Sequence, residues 1–393
     1  MPAPLRCPRC SLEAGGFAGC PRCRADGVPV NLVPPLLDLR GRDLAAFPGG
    51  PWGWPSLPGP PLTLGEGDTP LVPVGDSLWV KDESRNPTGS HKDRAMAVGV
   101  AAALAQGADT VVAASSGNAG ASAAAYAARA GLRCVVLTTV RIPGVLAEQT
   151  RALGAPVVPF TDTAARDTMI EAAVRELGWY PLTNYVQPAA GGNAYGNEGY
   201  KSIAYELARD LGSTVDTVVV PTSRADLLAG VERGYRELAA AGLVTSVPRM
   251  VAAETATAAA FSAALRHDDR VVQELTTVHS VPSPAFSIGS TQPAWQGLQA
   301  LWNTSGEAVA LEVDDYLTEH RRLPLTTGLF LEASSAVAVA VARRLLDQGA
   351  RNVVALGTGS GLKGLDAPAE LPESPSSLDE LAGYCAEWFA TVG

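Results

Sequence analysis

Short apolar runs alternate with longer helix-forming stretches from about residue 64 onward, and this alternation constrains the fold most strongly. The short runs predict buried strands, and the stretches between them predict helices. Strands are expected at 71–74, 78–81, 110–113, 134–138, 157–160, 215–220, 250–253 and 352–356. Helices are expected at 93–105, 145–153, 164–177, 199–211, 225–241, 255–267 and 378–391, and an alanine-rich helix is expected to end near residue 131. The alternation predicts an α/β fold with parallel sheets covered by helices on both faces and ligands at the carboxyl ends of the strands.

The stretch Asn86–Arg94 places a lone lysine, Lys92, at the start of the helix expected at 93–105. The positive end of the helix dipole disfavours the ammonium form of a lysine there, and burial acts in the same direction. A neutral amine is the nucleophile that Schiff-base chemistry requires. Taken alone, the motif favours a solvated lysine in a first helical turn, so its interpretation depends on the rest of the chain.

A second stretch, Ala114–Asn118, follows the strand expected at 110–113 and opens the alanine-rich helix. It combines two hydroxyls, a glycine and the free backbone N–H groups of a helix start, which together can bind a carboxylate. The two stretches therefore predict a lysine and an anion site at the carboxyl ends of strands.

Together the two stretches resemble the threonine synthase branch of the fold-type II pyridoxal-phosphate enzymes. The resemblance continues in four further motifs, at Gly65–Leu71, Glu198–Glu206, Leu331–Ser335 and Gly357–Lys363. It covers most of the chain from about residue 60 to about residue 365. It implies a two-lobed α/β core with parallel or mixed sheets, pyridoxal phosphate as cofactor and a small amino acid as substrate.

The resemblance also implies a role for each matching residue. Lys92 would hold the cofactor as a Schiff base and later move protons at the substrate, and Asn118 would bond the phenolic oxygen of the cofactor. The loop that grips the substrate carboxylate would be Ser115, Ser116 and Gly117. Thr358 would face the pyridine nitrogen, where a neutral hydroxyl suits elimination and replacement more than transamination. Without the resemblance, Thr358 would be read as a turn residue between glycines.

One motif departs from the family pattern, at Pro221–Asp226. The family has a glycine- and asparagine-rich loop here, whose backbone N–H groups surround the cofactor phosphate, and the loss of glycine removes that close approach. Thr222, Ser223 and Arg224 offer replacement donors, and a charge-assisted bond from the arginine is expected to compensate. The negative charge of Asp226 would oppose binding of the phosphate if its side chain faced the phosphate. The alternative is a solvent-exposed Arg224 and a site that has decayed.

Two smaller departures bear on the chemistry. His91 stands where the family has phenylalanine, and we expect a packed or hydrogen-bonded histidine rather than a second acid–base group. Ala119 replaces a threonine, which removes a hydroxyl near the substrate. A phosphorylated substrate would need a second anion site, for which Arg94, Arg129, Arg141 and Lys201 are candidates by charge alone.

Four of the six cysteines lie in two Cys-x-x-Cys pairs within the first 23 residues, at Cys7, Cys10, Cys20 and Cys23. Two such pairs can give four thiolates to one tetrahedral ion, which predicts a closed, structural zinc site. A disulfide pair or plain reduced cysteines are the alternatives, and disulfides are disfavoured without secretion. The neighbouring arginines are expected to balance the charge of the thiolates, although they leave a nucleic-acid or protein contact open.

The expected organisation is a cysteine module at 1–30, an arm rich in Pro, Gly and Trp at 31–62, a two-lobed catalytic core at 63–366 with the smaller lobe at about 95–205, and a tail with one short helix at 367–393. A net charge of −10 argues against a nucleic-acid surface. The start of the chain lacks the apolar core of a signal peptide, and no apolar run is long enough to span a membrane. We expect a cytoplasmic protein, active as a homodimer.

The function predicted first is that of threonine synthase, the elimination of phosphate from O-phosphohomoserine followed by addition of water. The second hypothesis keeps the cofactor and changes the substrate, with β-elimination or β-replacement on another amino acid, as in serine/threonine dehydratases or cysteate synthase. The third is a catalytically weak scaffold or regulatory paralogue, which only the altered loop at 221–226 supports.

Overall fold

The structure, a computed structural model, describes residues 4–55, 57, 60–365 and 377–392. Its strands are β1 (Leu5–Arg6), β2 (Glu13–Ala14), β3 (Leu71–Gly75), β4 (Leu78–Asp82), β5 (Thr110–Ala114), β6 (Arg133–Thr139), β7 (Val157–Phe160), β8 (Tyr180–Pro181), β9 (Thr217–Pro221), β10 (Arg249–Thr255), β11 (Glu307–Leu311) and β12 (Val353–Gly357).

The α-helices are α1 (Pro21–Ala25), α2 (Lys92–Ala105), α3 (Asn118–Ala130), α4 (Gly144–Ala152), α5 (Thr163–Glu176), α6 (Lys201–Leu211), α7 (Asp226–Ala240), α8 (Ala260–Ala264), α9 (Arg270–Leu275), α10 (Trp295–Asn303), α11 (Val313–Thr327), α12 (Ala333–Asp347) and α13 (Leu378–Val392). Short 3₁₀ turns connect several of them, including Gly196–Tyr200 immediately before α6.

Two sheets form the core of the fold. The larger has six strands in the order β11-β10-β9-β12-β4-β3, and the smaller has four in the order β7-β6-β5-β8. All pairings within these two sheets are parallel except that of β3 with β4. Central strands such as β9 and β12 are buried along their whole length, as expected for parallel strands covered on both faces. The predicted α/β class with parallel and mixed sheets is confirmed.

The predicted strands all form, and most predicted helices agree with the structure within a few residues. The helix expected at 255–267 is the exception, because a 3₁₀ turn at Ala256–Ala258 precedes the short α8. The Glu254 carboxylate accepts hydrogen bonds from the backbone N–H groups of Phe261 and Ser262, at 2.9 and 2.7 Å, and so fixes the start of α8 several residues later than predicted.

A buried cluster of four charges joins β4 and the turn after it to α2 and α6. Arg94 on α2 donates to the carboxylates of Glu83 and Glu206 at distances of 2.6–2.8 Å, and Lys81 Nζ lies 2.7 Å from Glu206. All four side chains are fully buried. The cluster therefore fixes the start of α2 against β4 and α6.

The amino-terminal segment packs onto the catalytic core of the same chain. Phe17 contacts the rings of Tyr180 and Tyr195 edge-on, with centroids 5.1 and 5.7 Å away. In the arm, Trp54 is buried against Phe47 and Tyr205, with ring centroids 4.7 and 5.2 Å apart. The tryptophan-rich arm thus covers α6 from outside. Within the described residues, no helix has the length and apolar character needed to cross a bilayer.

Candidate active site

A cavity of about 380 Å³ opens at the carboxyl ends of three strands. The loops that follow β5, β9 and β12 all contribute to its wall, through residues such as Gly117, Ser223 and Thr358. Carboxyl ends of parallel strands are where open α/β folds bind ligands, so the observed position agrees with the prediction from the sequence.

Only Lys92, among the four lysines in the described part of the chain, lines this cavity. Lys81 and Lys201 are buried in ion pairs with carboxylates, at 2.5–2.8 Å. Lys363 donates to the side-chain oxygen of Asn118 at 2.9 Å. A single cavity lysine leaves one candidate for covalent chemistry with a carbonyl compound.

Lys92 Nζ donates a hydrogen bond to the hydroxyl of Tyr200 at 3.2 Å. Tyr200 is buried and reaches this position because Gly199 packs directly on α2, where a Cβ atom would lie 2.0 Å from the Arg94 carbonyl oxygen. Burial acts to lower the pKa of Lys92, but Tyr200, Asp226 and Glu332 outweigh it and leave the pKa raised above its ordinary value. The expectation of a neutral Lys92 is therefore wrong for the lysine without bound cofactor. The sequence did not reveal the acidic neighbours that favour its charged form.

His91 is buried beside this pair, with its ring centroid 5.6 Å from that of Tyr200. Its Nδ1 lies 3.0 Å from the backbone oxygen of Thr358, so Nδ1 carries the proton and donates. Burial and the adjacent Lys92 hold the pKa of His91 well below its ordinary value, which keeps the ring neutral. His91 is thus packed and hydrogen-bonded, as expected from the sequence.

The loop from Ser115 to Gly117 offers a ligand backbone N–H groups, because the two serine hydroxyls already bond within the protein. Ser115 Oγ accepts from the backbone N–H groups of Gly117 and Gly120, both at 3.1 Å, and Ser116 Oγ lies 3.1 Å from the hydroxyl of Thr139. The backbone N–H groups of Ser116, Asn118 and Ala119 bond to no other described residue. These N–H groups at the start of α3 are the donors left for a carboxylate.

Glu332, for which the sequence predicted no role, places its carboxylate between two predicted site residues. Glu332 accepts hydrogen bonds from Asn118 Nδ2 at 3.0 Å and from Thr358 Oγ1 at 3.1 Å. Burial raises the pKa of Glu332, and these hydrogen bonds and Lys363 oppose that shift. Asn118 and Thr358 are therefore held in place by one shared buried acid.

The altered loop at 221–226 places its three predicted donors differently. Thr222 does not line the cavity, because its hydroxyl donates back to the Val220 carbonyl oxygen at 2.7 Å and the side chain is buried. Ser223 lines the cavity, with its hydroxyl on the Gly289 carbonyl oxygen at 3.0 Å. Arg224 also lines it; its side chain is exposed, and its guanidinium has no acceptor among the described residues.

Asp226 opens α7 and lines the same cavity. Its carboxylate accepts from the Gly192 N–H at 3.0 Å, from Asn197 Nδ2 at 3.0 Å and from Gln296 Nε2 at 3.1 Å. Burial raises the pKa of the Asp226 carboxyl, and Lys92 and Arg224 oppose that shift. Three donors thus hold one half-buried acid in the loop that is glycine- and asparagine-rich in the family pattern.

The residues around the cavity fit pyridoxal phosphate in most respects. Lys92 can bond a carbonyl, and Asn118 and Thr358 lie on the cavity wall on either side of Glu332. Ala225 has a left-handed backbone with φ of 57°, and the backbone N–H groups of residues 223–228 bond to no other described residue, as in an anion-binding loop. The carboxylate of Asp226 is the one group whose charge opposes a phosphate there.

The four amino-terminal cysteines converge as predicted. Their sulfur atoms lie within 4.8 Å of one another, with Cys7–Cys23 at 3.6 Å and Cys10–Cys20 at 3.5 Å. Thiolates around a tetrahedral zinc, with Zn–S bonds of about 2.3 Å, would be separated by a little under 4 Å, roughly as found. Arg9 lies 3.9 Å from the Cys23 sulfur and pairs with Glu274 on α9, which joins the module to the core.

A lysine on the wall of a cavity at the carboxyl ends of parallel strands has the position that an enzyme needs to bind a carbonyl cofactor covalently. The chain belongs to the family described as pyridoxal-phosphate dependent enzyme, whose model matches residues 62–359.

Threonine synthases are the curated relatives it resembles. The enzyme of Methanocaldococcus jannaschii is 32% identical over 338 residues, covering 81% of this chain and 80% of that protein. That of Mycobacterium tuberculosis is 32% identical over 341 residues, covering 82% of this chain and 89% of the other. Among solved structures, O-ureido-L-serine synthase superimposes with a TM-score of 0.64 at 22% sequence identity. The match covers 83% of this chain and 99% of that enzyme, and it shows that the two share a fold. The chain is thus a pyridoxal-phosphate-dependent lyase of the threonine synthase type.

No site role was predicted for Tyr200, Glu332 or Lys363, although each lies in a motif that carries the resemblance. A signal was present in the case of Glu332, since it is a lone acid between Leu331 and Ala333 at a helix start. Of the charged candidates for a second anion site, Arg94 and Lys201 are excluded because both are buried in ion pairs away from the cavity.

Proposed function

We propose that this enzyme converts O-phosphohomoserine and water to threonine and inorganic phosphate, with pyridoxal phosphate held at Lys92. The observation that carries the proposal is the position of Lys92, which is the one described lysine on the cavity wall and shares that wall with the loop Ser115–Gly117. The similarity to threonine synthases over about four-fifths of the chain supports the choice of substrate.

The cofactor would be held by Lys92, Asn118, Thr358, Ser223 and Arg224. Pyridoxal phosphate, when bound, supplies an electron sink for negative charge that develops beside the substrate nitrogen. Asn118 would orient the ring through its phenolic oxygen, and Thr358 would face the ring nitrogen. Thr358 Oγ1 donates to Glu332 at 3.1 Å and lies 3.1 Å from the hydroxyl of Ser335. Its proton would turn from Glu332 to the ring nitrogen, which is an acceptor when unprotonated.

The substrate carboxylate would bind at the start of α3. The unpaired N–H groups of Ser116, Asn118 and Ala119 point to backbone recognition, aided by the positive end of the helix dipole. The loss of the family threonine at Ala119 then matters less, since the backbone N–H of Ala119 is retained. The hydroxyls of Ser115 and Ser116 would shape the loop instead of contacting the substrate.

Lys92 would also move the protons of the reaction. Once the substrate amine has displaced it, Nζ would accept a proton from Cα of the substrate and then one from Cβ as phosphate leaves from Cγ. Nζ would release the first proton, which the departing phosphate can take up, before it accepts the second, and it would give the second to Cγ to complete the methyl group. Water would then add its hydroxyl at Cβ and give its remaining proton to Nζ, which would return a proton to Cα. The Tyr200 hydroxyl would hold Nζ between these transfers, because the two groups already share a hydrogen bond.

The phosphate of the substrate would extend towards Arg141. This residue lines a second cavity of about 830 Å³, which shares Ser116, Phe286 and Glu332 with the first. Arg141 is exposed, and no described acid pairs with its guanidinium. Arg141→Ala should therefore raise KM for O-phosphohomoserine more than it lowers kcat.

A second candidate function is β-elimination on an unphosphorylated amino acid, and the charge balance of the first cavity favours it. The described lining residues include three basic residues, Lys92, Arg166 and Arg224, and three carboxylates, Asp167, Asp226 and Glu332. Arg166 pairs with Asp167 at 2.7 Å, which leaves Arg224 as the unpaired guanidinium among these residues. A phosphorylated substrate would therefore depend on Arg141 in the neighbouring cavity for its phosphate, whereas an unphosphorylated substrate needs no second anion site.

The deciding experiment measures two products with the purified, cofactor-loaded chain. Release of inorganic phosphate from O-phosphohomoserine, in step with formation of threonine, is the expected result. Formation of a 2-oxo acid from serine or threonine, without phosphate release from O-phosphohomoserine, would support the second candidate and contradict the first. Lys92→Ala serves as the control that must lose either activity.

The cysteine cluster would bind one zinc ion in a structural role, with Cys7, Cys10, Cys20 and Cys23 as its ligands. Two observations support the zinc site. The four sulfur atoms converge, and the described residues of the cluster offer no ligand other than cysteine. The cytoplasmic location and the homodimer expected from the sequence remain predictions, the latter to be checked by light scattering of the purified chain.

A further inference from the structure

The loop between β9 and α7 has the backbone of an anion site. Ser223, Arg224, Ala225, Asp226 and Leu227 all line the cavity that contains Lys92. The backbone N–H groups of residues 223–228 bond to no other described residue, and the left-handed Ala225 turns the chain directly into the first turn of α7. Free N–H groups and a helix dipole both favour negative charge at this place.

The carboxylate of Asp226 lines the same cavity, beside this loop. Asp226 is the first residue of α7, so its side chain starts within the same set of N–H groups. Its two oxygens accept three hydrogen bonds, from Gly192, Asn197 and Gln296, and so the carboxylate is fixed rather than free to swing away. A Cβ atom at Gly191 would lie 2.9 Å from Asp226 Oδ1, which shows how closely the carboxylate is enclosed.

We propose that Asp226 is an internal competitor of the cofactor phosphate, and that phosphate binds at residues 223–227 only with uptake of one proton by the Asp226 carboxylate. The proton comes from solvent and converts the carboxylate to a neutral carboxyl group, which can then donate a hydrogen bond to a phosphate oxygen. No covalent bond changes. The inference rests on the proposed function, since it takes this cavity as the cofactor site.

The surroundings of Asp226 make such uptake possible. Burial raises the pKa of the carboxyl, while Lys92 from α2 and Arg224 from the loop lower it. Tyr200 also interacts with Asp226, and it stays neutral near pH 7 because burial raises its pKa. A phosphate placed against the carboxylate adds negative charge and must raise the pKa of Asp226 further.

The test uses two probes that cannot bond covalently to Lys92, pyridoxamine 5′-phosphate and pyridoxamine, which differ only in the phosphate. Dissociation constants are measured by quenching of tryptophan fluorescence in the full-length protein, from about pH 6 to about pH 9. In the native chain, the dissociation constant of pyridoxamine phosphate should rise by up to about tenfold per pH unit between the free and phosphate-bound pKa values of Asp226. Pyridoxamine should lack this dependence.

Asp226→Asn removes the charge and keeps the shape of the side chain. Its affinity for pyridoxamine phosphate should be about tenfold or more above that of the native chain at the alkaline end, with the pH dependence lost. Asp226→Gly should show the same change in affinity and pH dependence. It is a second test in which no asparagine amide can be misplaced. Asp167→Asn is the matched control, because Asp167 lines the cavity but pairs with Arg166, and it should keep the native pH dependence.

Parallel pH profiles for the native chain and both Asp226 variants would overturn the inference while leaving the cofactor site intact. Equal affinities for the two probes in every variant would also overturn it, because the phosphate would then not be recognised. Binding of neither probe to any variant would overturn the proposed function together with the inference.

Discussion

Lys92 Nζ and the hydroxyl of Tyr200 lie 3.2 Å apart, and they join the first residue of α2 to the turn before α6. A neutral phenol that accepts a hydrogen bond from an ammonium group favours the charged lysine. Tyr200→Phe should therefore lower the pKa of Lys92, because it removes a hydrogen bond to a charged group, which is worth about 1.5–3 kcal/mol.

A lower pKa gives more neutral amine at a given pH, so the cofactor-free Tyr200→Phe variant should react with pyridoxal at lower pH than the native chain. The pH dependence of that reaction rate is the measurement. Tyr235→Phe is the control, because Tyr235 is buried and its hydroxyl has no partner among the described residues. Identical profiles for the native chain and Tyr200→Phe would mean that the hydrogen bond does not influence the amine.

Lys92→Ala should abolish both the visible absorbance of the lysine-bound cofactor and turnover while the fold is kept. The reason is that the other three lysines are held in ion pairs or on Asn118 and do not line the cavity. Absorbance spectra and far-ultraviolet circular dichroism of the two proteins check this. An unchanged visible band would place the cofactor lysine elsewhere.

Arg224→Ala should weaken binding of pyridoxamine phosphate by about ten- to a hundredfold, because a charge-assisted hydrogen bond is worth about 1.5–3 kcal/mol. Arg224→Lys should recover part of the loss, since an ammonium group cannot make the paired contact of a guanidinium. Arg151→Ala, at an exposed helical position, is the control. Equal affinities in the native chain and Arg224→Ala would show that the arginine faces solvent.

The fold class and the position of the cavity could be predicted from the sequence because local patterns determine both. The apolar runs of β5, β9 and β12 are bounded by turn residues, and Lys92 and Asn118 follow at fixed distances. Strand direction then brings their loops together, since parallel strands place their carboxyl ends at one edge.

Contacts between distant parts of the chain could not be predicted in the same way. The partnership of Asn118 with Glu332 spans 214 positions, and no local pattern relates the two. Helix α12 was not predicted because its alternating Ala and Val residues also suit a strand. The assignment of Thr222 as a phosphate donor relied on residue type, whereas the direction of its hydroxyl depends on the backbone of β9.

The cysteine module should contain one zinc ion per chain by elemental analysis. Cys20→Ser should lose the metal and lower the free energy of unfolding, because the remaining three sulfur atoms cannot complete the tetrahedral site. Cys385→Ser, in α13, is the control and should keep the zinc. The visible cofactor band should persist in folded Cys20→Ser protein, and its loss without unfolding would contradict a purely structural role.

Arg94→Met should lower the free energy of unfolding by about 3–5 kcal/mol, because it leaves buried carboxylates without their partner. Burial alone would raise the pKa of Glu206, but Arg94 and Lys81 outweigh it and hold the pKa well below its ordinary value. The stability from this pair is present above the ordinary carboxyl pKa and is lost as the pH falls. In Arg94→Met, less of this stability remains, so the stability lost as the pH falls below the ordinary carboxyl pKa should be smaller than in the native chain.

Urea denaturation at several pH values measures this effect. Arg151→Met is the control, since its pair with Glu148 is exposed and should change stability by no more than about 0.5 kcal/mol. A change of similar size in the two variants would contradict a special role for the buried cluster.

The buried charges of Lys81, Glu83, Arg94 and Glu206 sum to zero, and this has a consequence for how the sequence can diverge over time. Any single replacement leaves an uncompensated charge in the interior, which selection for a folded protein removes. Simultaneous replacement by apolar residues of matched volume leaves no such charge and is tolerated. Among descendants of this chain, these positions should therefore remain fixed for long periods and then change as a group.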